Sequence, residues 1–89
     1  MPITPHPDQV RQIVLRNLRD FGVVVRGLTE LRENIRVEQG KYLARTYRAG
    51  HLMAMWLVPH GILQFYDAQG AMLRTINLFE ELKSEEVAA

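Results

Sequence analysis

The side chains that could act in acid–base, nucleophilic or metal chemistry are few in this 89-residue sequence. The three histidines, His6, His51 and His60, fall in a terminus, at a predicted strand start and in a predicted turn. None of them has a second ligand at metal-site spacing. There is no cysteine, and the only serine, Ser84, stands in a charged C-terminal tail. We therefore expect no enzymatic activity, no metal and no cofactor.

Arginine and aromatic side chains offer a different chemistry, recognition by stacking and by bidentate hydrogen bonds. Nine of the eleven basic residues are arginine, and a guanidinium group favours planar or stacked contacts. Residues 1–50 carry nine Lys or Arg against five acids, whereas residues 51–89 carry two against five. A basic half is a weak indication of nucleic-acid binding, and arginine-rich codon usage explains it equally well.

Four glycines about ten residues apart organise the second half of the chain. Each closes a triplet that fits a three-residue hairpin loop, in which glycine takes the left-handed position without a Cβ clash. The triplets are Glu38-Gln39-Gly40, Arg48-Ala49-Gly50, Pro59-His60-Gly61 and Ala68-Gln69-Gly70. They separate five predicted strands at about Glu33 to Val37, Lys41 to Tyr47, His51 to Val58, Ile62 to Asp67 and Ala71 to Leu78.

The N-terminal part of the chain predicts a helix. Thr4 or His6 can cap it, Pro7 suits its first turn, and Asp8 favours the positive end of the helix dipole. The helix should end near Gly22. Its apolar stripe consists of Val10, Ile13, Val14, Leu18 and Phe21. Residues 23–32 fit either a strand or a continued helical spacing, and we favour a second short helix there.

If all four loops have this geometry, counting outward from each turn assigns every strand residue to one of two faces. The predicted partners across the loops are Val37 with Lys41, Tyr47 with His51, Val58 with Ile62 and Asp67 with Ala71. The face expected to pack on the helix collects Ile35, Val37, Leu43, Tyr47, Met53, Met55, Leu57, Leu63, Phe65 and Leu73, with Glu33, Arg45 and Thr75 as its polar members. Six residues of the opposite face form the predicted interaction site: Arg36, Tyr42, Trp56, Gln64, Tyr66 and Arg74.

These elements predict an α+β fold, an N-terminal helical segment packed on one face of a five-stranded antiparallel β-meander. The length suits a single small domain over residues 1–89, with residues 1–5 and 84–89 frayed. The longest apolar run is far shorter than the ~20 residues that span a bilayer, so we expect no membrane association. The cysteine-free composition makes the cytoplasm the expected location.

A face that combines aromatic rings and arginines is too apolar to be left in water without a cover. We favour homodimerisation, with Trp56 as a buried anchor and non-catalytic interaction as the function. The segment Phe79-Glu80-Glu81-Leu82-Lys83 has the spacing of a short C-terminal helix and could cover the face instead. Single-stranded nucleic acid is the third candidate cover, because bases stack on aromatic rings and arginines bind phosphate.

Binding of a small ligand is the remaining alternative. A curved sheet can form a cleft against a helix, and Met53, Met55 and Phe65 would line it. The same three residues also fit an ordinary hydrophobic core.

Overall fold

The computed structural model describes residues 5–24, 26 and 31–82. It contains the helix α1 (Pro7–Asp20) and the strands β1 (Arg32–Glu38), β2 (Lys41–Ala49), β3 (Leu52–Leu57), β4 (Ile62–Tyr66) and β5 (Met72–Asn77). A 3-10 turn (Val58–His60) joins β3 to β4, and a second helix, α2, covers residues 78–82. The strands form one antiparallel sheet in the order β1-β2-β3-β4-β5. The predicted α+β meander, with a short C-terminal helix, is confirmed.

The helix α1 begins with a capping box. The side chain of His6 accepts a hydrogen bond from the backbone N–H of Asp8 at 3.1 Å, and the side chain of Gln9 accepts one from the N–H of His6 at 3.0 Å. Pro7 occupies the first turn, where its missing N–H costs nothing. The helix ends at Asp20, two residues before the predicted end near Gly22, and Gly22 has a φ of 86°.

The four hairpin glycines all have a positive φ, as the sequence predicts, but their loops differ in length. Glu38 pairs with Lys41, so the first loop contains only Gln39 and Gly40, which both have a positive φ. That pair of left-handed residues is typical of a type I′ turn. The loop between β2 and β3 also has two residues, because Ala49 pairs with Leu52.

The other two loops are longer. Four residues separate Leu57 from its partner Ile62, since the 3-10 turn precedes Gly61. The last loop has the predicted three residues, and the N–H of Asp67 donates to the carbonyl oxygen of Ala71 at 3.0 Å. The predicted loop length is therefore correct at one hairpin of the four.

Because the loop lengths differ from the predicted ones, each residue of the central strand β3 lies on the face opposite to the predicted one. Tyr47 lies opposite Ala54 instead of His51, a shift of three residues, and an odd shift exchanges the two faces of a strand. Leu52, Ala54 and Trp56 therefore face α1. The prediction that Met53, Met55 and Leu57 belong to the helix-covered core is wrong.

Two β-bulges place further residues on the face of the sheet opposite to the predicted one. Leu43 is an additional residue in β2, because Arg36 pairs with Ala44 while Val37 pairs with Tyr42. Tyr42 consequently lies on the helix side of the sheet.

Leu73 is the corresponding additional residue in β5. Phe65 pairs with Arg74 and Tyr66 pairs with Met72, so that Leu73 has no partner of its own. This bulge places Arg74 and Ile76 on the helix side, where the sequence predicts Leu73 and Thr75.

The core lies between α1 and one face of the sheet, with α2 at its end. It consists of Val10, Ile13, Val14, Leu15, Leu18, Val23, Tyr47, Ala49, Leu52, Ala54, Trp56, Leu63, Phe65, Leu78 and Leu82. Leu78 and Leu82 belong to α2, and Glu81 of the same helix pairs with Arg16 of α1 at 2.6 Å. The idea that the C-terminal segment covers the other face of the sheet is therefore wrong.

The residues between α1 and β1 are only partly described. Val23, Val24 and Arg26 are not helical and Arg32 begins β1, while the rest of the predicted second helix lies outside the described residues. The predicted frayed ends also lie outside them, except for Pro5, which is buried. In the part of the chain that the structure describes, neither helix has the length and apolar character needed to cross a membrane.

Replacement of Gly61 tests the packing of α2. A Cβ at Gly61 would lie 2.6 Å from Cζ of Phe79, whereas a Cβ at Gly70 would meet nothing within 4 Å. Both glycines have a left-handed φ, so each alanine should cost ~1 to 2 kcal/mol of unfolding free energy through backbone strain. We expect Gly61→Ala to cost about 1 to 3 kcal/mol more than Gly70→Ala in urea unfolding, because the Phe79 ring must move.

A double variant separates the two causes. In a Phe79→Ala background the cost of Gly61→Ala should fall to that of Gly70→Ala. An unchanged cost would show that the Phe79 ring does not rest on Gly61.

Candidate interaction face

The structure divides the six predicted site residues between the two faces of the sheet. The three that face away from α1 are Arg36, Gln64 and Tyr66, and the three on the helix side are Tyr42, Trp56 and Arg74. The prediction that all six share one face is wrong. Its cause is the odd register shift at β3, together with the bulges at Leu43 and Leu73.

Trp56 belongs to the core of the single chain. It is 2% exposed and lies between Arg45 of β2 and Leu63 of β4. A side chain with so little accessible surface cannot anchor a partner or stack on a base. The prediction of Trp56 as a dimer anchor is therefore corrected.

Arg74 connects β5 to the end of α1. Its guanidinium donates to Oδ1 of Asn17, lies 3.5 Å from a carboxylate oxygen of Asp20, and stacks 4.5 Å above the ring centre of Phe21. Asn17 itself is 4% exposed and donates to the carbonyl oxygen of Ile13 at 2.8 Å. These contacts assign Arg74 a structural role in place of the predicted phosphate contact.

The face of the sheet turned away from α1 is called the open face. It consists of three rows of cross-strand partners. Read from β1 to β5, they are Arg32, Arg48, Met53, Tyr66, Met72; then Asn34, Thr46, Met55, Gln64, Thr75; and last Arg36, Ala44, Leu57, Ile62, Asn77. Both helices of the described chain pack on the opposite side. The open face therefore has an apolar centre on β3 and β4, with arginines toward β1.

The apolar centre of the open face follows from the composition of β3. All six residues of this strand are apolar, and they alternate between buried positions toward α1 and half-buried positions on the open face. Strands that are apolar on both sides occur where both sides of a sheet are covered. Tyr66 extends the patch, and its hydroxyl donates to Oε1 of Gln64 at 2.6 Å. At its margin Met72 is 56% exposed.

A partly buried ion-pair network lies on the helix side of the sheet, behind the open face. Glu33 of β1 accepts hydrogen bonds from Nε of Arg11 at 2.9 Å and from Nη1 of Arg45 at 2.7 Å. The two contacts join α1, β1 and β2. The sequence marked Glu33 and Arg45 as polar members of the core face, and their pairing explains how a core tolerates them.

The environment of this network shifts the pKa values of Glu33 and Tyr47, and the hydrogen bond to Glu33 raises the pKa of Arg11. Burial, the largest single influence, raises the pKa of Glu33, but the hydrogen bonds and charges of Arg11 and Arg45 outweigh it and hold that pKa below its usual value. The nearby Tyr47 hydroxyl has a raised pKa, because it is buried and faces the Glu33 carboxylate. Both groups thus keep their ordinary neutral-pH charge states.

Around Arg45 the hydrogen bonding of the buried polar atoms is less complete. The guanidinium lies 5.1 Å from the ring centre of Tyr42 and 6.0 Å from that of Trp56, which supplies cation–π contacts. Four buried polar atoms of this region have no hydrogen-bond partner among the residues that the structure describes: Tyr42 Oη, Tyr47 Oη, Arg45 Nε and Trp56 Nε1. Aromatic stacking thus replaces part of the hydrogen bonding that a buried arginine usually requires.

Arg32 and Arg48 form a cationic corner of the open face that sequence reasoning missed. The two residues are cross-strand partners, and both are exposed. An open groove of about 570 Å³ begins at Arg48 and is bordered by His51, Met53, Tyr66 and others. The two-residue loop at Gly50 brings Arg48 to this face, so a correct loop length would have been the signal.

The comparisons with known proteins find no match: no family model, no curated protein and no solved structure is significantly similar to the chain. Within residues 5–24, 26 and 31–82, no three His, Cys, Asp or Glu side chains cluster in a way that could hold a metal ion.

Replacement of Glu33 by glutamine tests the network. Because the pKa of Glu33 is lowered in the folded state, its contribution is present above its unfolded pKa and is lost as the pH falls through its folded pKa. At neutral pH we expect Glu33→Gln to cost on the order of 2 kcal/mol of unfolding free energy, because two arginines lose their carboxylate. The difference from the wild type should shrink below the ordinary pKa of 4.5.

Glu38→Gln is the matched control for this measurement. Glu38 pairs with Arg36 at 2.8 Å, but both side chains are more than half exposed. An exposed pair contributes little, so urea unfolding as a function of pH should scarcely change. Equal effects of the two substitutions would contradict the structural role of the Glu33 network.

Proposed function

We propose that this chain is a non-catalytic interaction module that forms a homodimer through its open face. The observation that supports the proposal is the composition of β3, where Met53, Met55 and Leu57 lie on the open face behind a core that is already complete without them. In a monomer these side chains remain partly in water. Their burial against a second copy would contribute about 25 cal/mol per Å² of apolar surface.

The side-chain chemistry of the patch suits such an interface. Methionine is unbranched and polarisable, so it fits irregular opposing surfaces. Tyr66 offers a rigid ring whose hydroxyl is already satisfied by Gln64. Two sheets that stack face to face usually align within about 30°, so Met55 at the middle of the patch would meet its own copy.

The distribution of charge on the open face selects one orientation of the two copies. Arg32, Arg36 and Arg48 lie on β1 and β2, whereas β5 presents Met72, Thr75 and Asn77. A two-fold axis parallel to the strands places β1 of one copy above β5 of the other. That arrangement separates the arginines of the two copies, while an axis perpendicular to the strands would stack β1 on β1.

The alternative function, single-stranded nucleic-acid binding, loses most of its predicted contacts. Two of its three stacking rings, Tyr42 and Trp56, lie on the helix side, and Arg74 is engaged with Asn17 and Asp20. Tyr66 alone remains on the open face. The cytoplasm is the compartment that we propose for the module, on its cysteine-free composition alone.

A charge at the centre of the patch tests the proposed dimer. In Met55→Glu, two carboxylates would meet near the two-fold axis without a counter-charge. We expect the dimer dissociation constant to rise by on the order of a hundredfold or more, because burial of unpaired charges costs several kcal/mol. Analytical ultracentrifugation over a micromolar concentration series measures this change, and circular dichroism confirms that the fold persists.

Gln12→Glu is the control with the same change in charge. Gln12 is exposed on α1, remote from the open face, and its replacement should leave the dimer intact. Trp56 fluorescence should be the same in monomer and dimer, because this ring is buried in each chain. A wild-type chain that stays monomeric throughout the concentration series would overturn the proposal.

A further inference from the structure

We propose that Arg32, Arg48, Met53 and Tyr66 form a binding site for a phosphate monoester that carries a planar ring, the chemistry of a nucleotide 5′-phosphate. The two arginines would hold the phosphate, and the ring would lie on Met53 and Tyr66. The site goes beyond the proposed homodimer and is formed by one chain, but it shares Met53 and Tyr66 with the dimer face, so the ligand and a second copy would compete for it.

The first support is electrostatic. Arg32 and Arg48 lie directly opposite each other on neighbouring strands, an arrangement that is destabilising for like charges. Most arginines of this chain have a counter-charge: Arg11 and Arg45 contact Glu33, Arg16 contacts Glu81, Arg36 contacts Glu38, and Arg74 contacts Asp20. Arg32 and Arg48 form no such contact within the described residues. An anion held between them would relieve their repulsion.

The second support is the shape of the surface beside them. A pocket of about 460 Å³ lies at Arg32, Arg48, Ala49 and Gly50, and the groove of about 570 Å³ continues from Arg48 and Gly50 to Tyr66. Arg48, Met53 and Tyr66 are successive cross-strand partners on three neighbouring strands. Adjacent strands lie about 4.8 Å apart, so Arg48 and Tyr66 are separated by roughly 10 Å at the backbone.

The chemistry of these residues selects the ligand. Two guanidinium groups match the charge of a phosphate monoester, which is about −1.5 to −2 at neutral pH, better than that of a single carboxylate. Each guanidinium can bind phosphate oxygens through two parallel hydrogen bonds. Met53 and Tyr66 offer a thioether and an aromatic ring, which favour contact with a flat apolar body.

Asp67 at the far end of the groove orients the ligand. Its Oδ1 accepts hydrogen bonds from the N–H groups of Gln69 and Ala71, both at 2.9 Å, which keeps the carboxylate in the loop. A negative group beside it would be repelled. The phosphate therefore belongs at the arginine corner and the neutral ring at the Asp67 end.

Calorimetric titration of the full chain with adenosine monophosphate at low ionic strength tests the site. We expect saturable binding that weakens with added salt, and weaker binding of both inorganic phosphate and adenosine, since each retains only half of the contacts. Absence of binding at low salt, or equal binding of adenosine, would overturn the proposal. Inorganic phosphate binding as tightly as adenosine monophosphate would overturn the role of Met53 and Tyr66.

Single substitutions test the phosphate-binding arginines and the ring-binding side chains separately. Arg48→Ala should weaken adenosine monophosphate binding by about tenfold or more, the equivalent of one charge-assisted hydrogen bond. Arg36→Ala removes an arginine that pairs with Glu38 on the same face, and it should have little effect. Tyr66→Ala should weaken binding of adenosine monophosphate and leave that of inorganic phosphate unchanged. Equal losses in Arg48→Ala and Arg36→Ala would contradict a specific site.

Two further arms separate this site from the dimer and distinguish the sources of the ligand. Leu57→Glu places a carboxylate on the open face outside the groove, so it should disrupt the dimer and bind adenosine monophosphate at least as tightly as the wild type. Arg48→Ala should leave the dimer mass unchanged. Loss of binding in Leu57→Glu with an intact fold would overturn a site that one chain forms on its own. A short single strand that binds only when its 5′ end is phosphorylated would identify strand ends as a source, whereas binding of adenosine monophosphate alone would identify free nucleotides.

Discussion

The register of the central strand β3 is the constraint on which the other features of this fold depend. With Tyr47 opposite Ala54, the residues Leu52, Ala54 and Trp56 complete the core beneath α1. The same register places Met53, Met55 and Leu57 on the other side. A shift by one residue would bury the methionines and expose the tryptophan, so one set of backbone hydrogen bonds decides which surface this chain presents.

Polar contacts hold this arrangement from both edges of the sheet. Glu33 binds Arg11 and Arg45 near β1, and Arg74 binds Asn17 near β5, so α1 is attached to both sides of the meander. In these contacts the charged side chains of the helix-covered face bind partners within the same chain. The cations Arg32 and Arg48, which have no such partners in the described structure, lie on the open face beside its apolar centre. The open face therefore combines these two exposed cations with an apolar centre.

The sequence predicts the elements of this fold better than the faces of its strands. The capping residues His6 and Pro7 and the left-handed glycines are local features, and they are found where the sequence predicts them. Loop length is a weaker signal, because two-, three- and four-residue hairpins all use a left-handed glycine. In most strands the apolar pattern would correct such an error, but β3 is apolar on both faces and fits either register equally well.

The bulges at Leu43 and Leu73 carry no local signature in the sequence, and they moved Tyr42 and Arg74 out of the predicted site. Tyr66, Gln64 and Arg36 were placed correctly on the face opposite the helix, because β4 and most of β1 kept their predicted sides. The sequence thus predicts the face of Arg36, Gln64 and Tyr66, whereas the position of Met55 at the centre of the open face follows only from the structure.

Met55 lies on the open face, and in the proposed homodimer it meets its own copy. An NMR experiment on an equal mixture of chains, half with ¹³C-labelled methionine methyl groups and half unlabelled, measures this directly through contacts between labelled and unlabelled molecules. We expect intermolecular nuclear Overhauser effects at the methyl groups of Met53 and Met55. Absence of intermolecular signals from both methyl groups would overturn the homodimer, and strong intramolecular contacts from Met55 to α1 would overturn the register of β3.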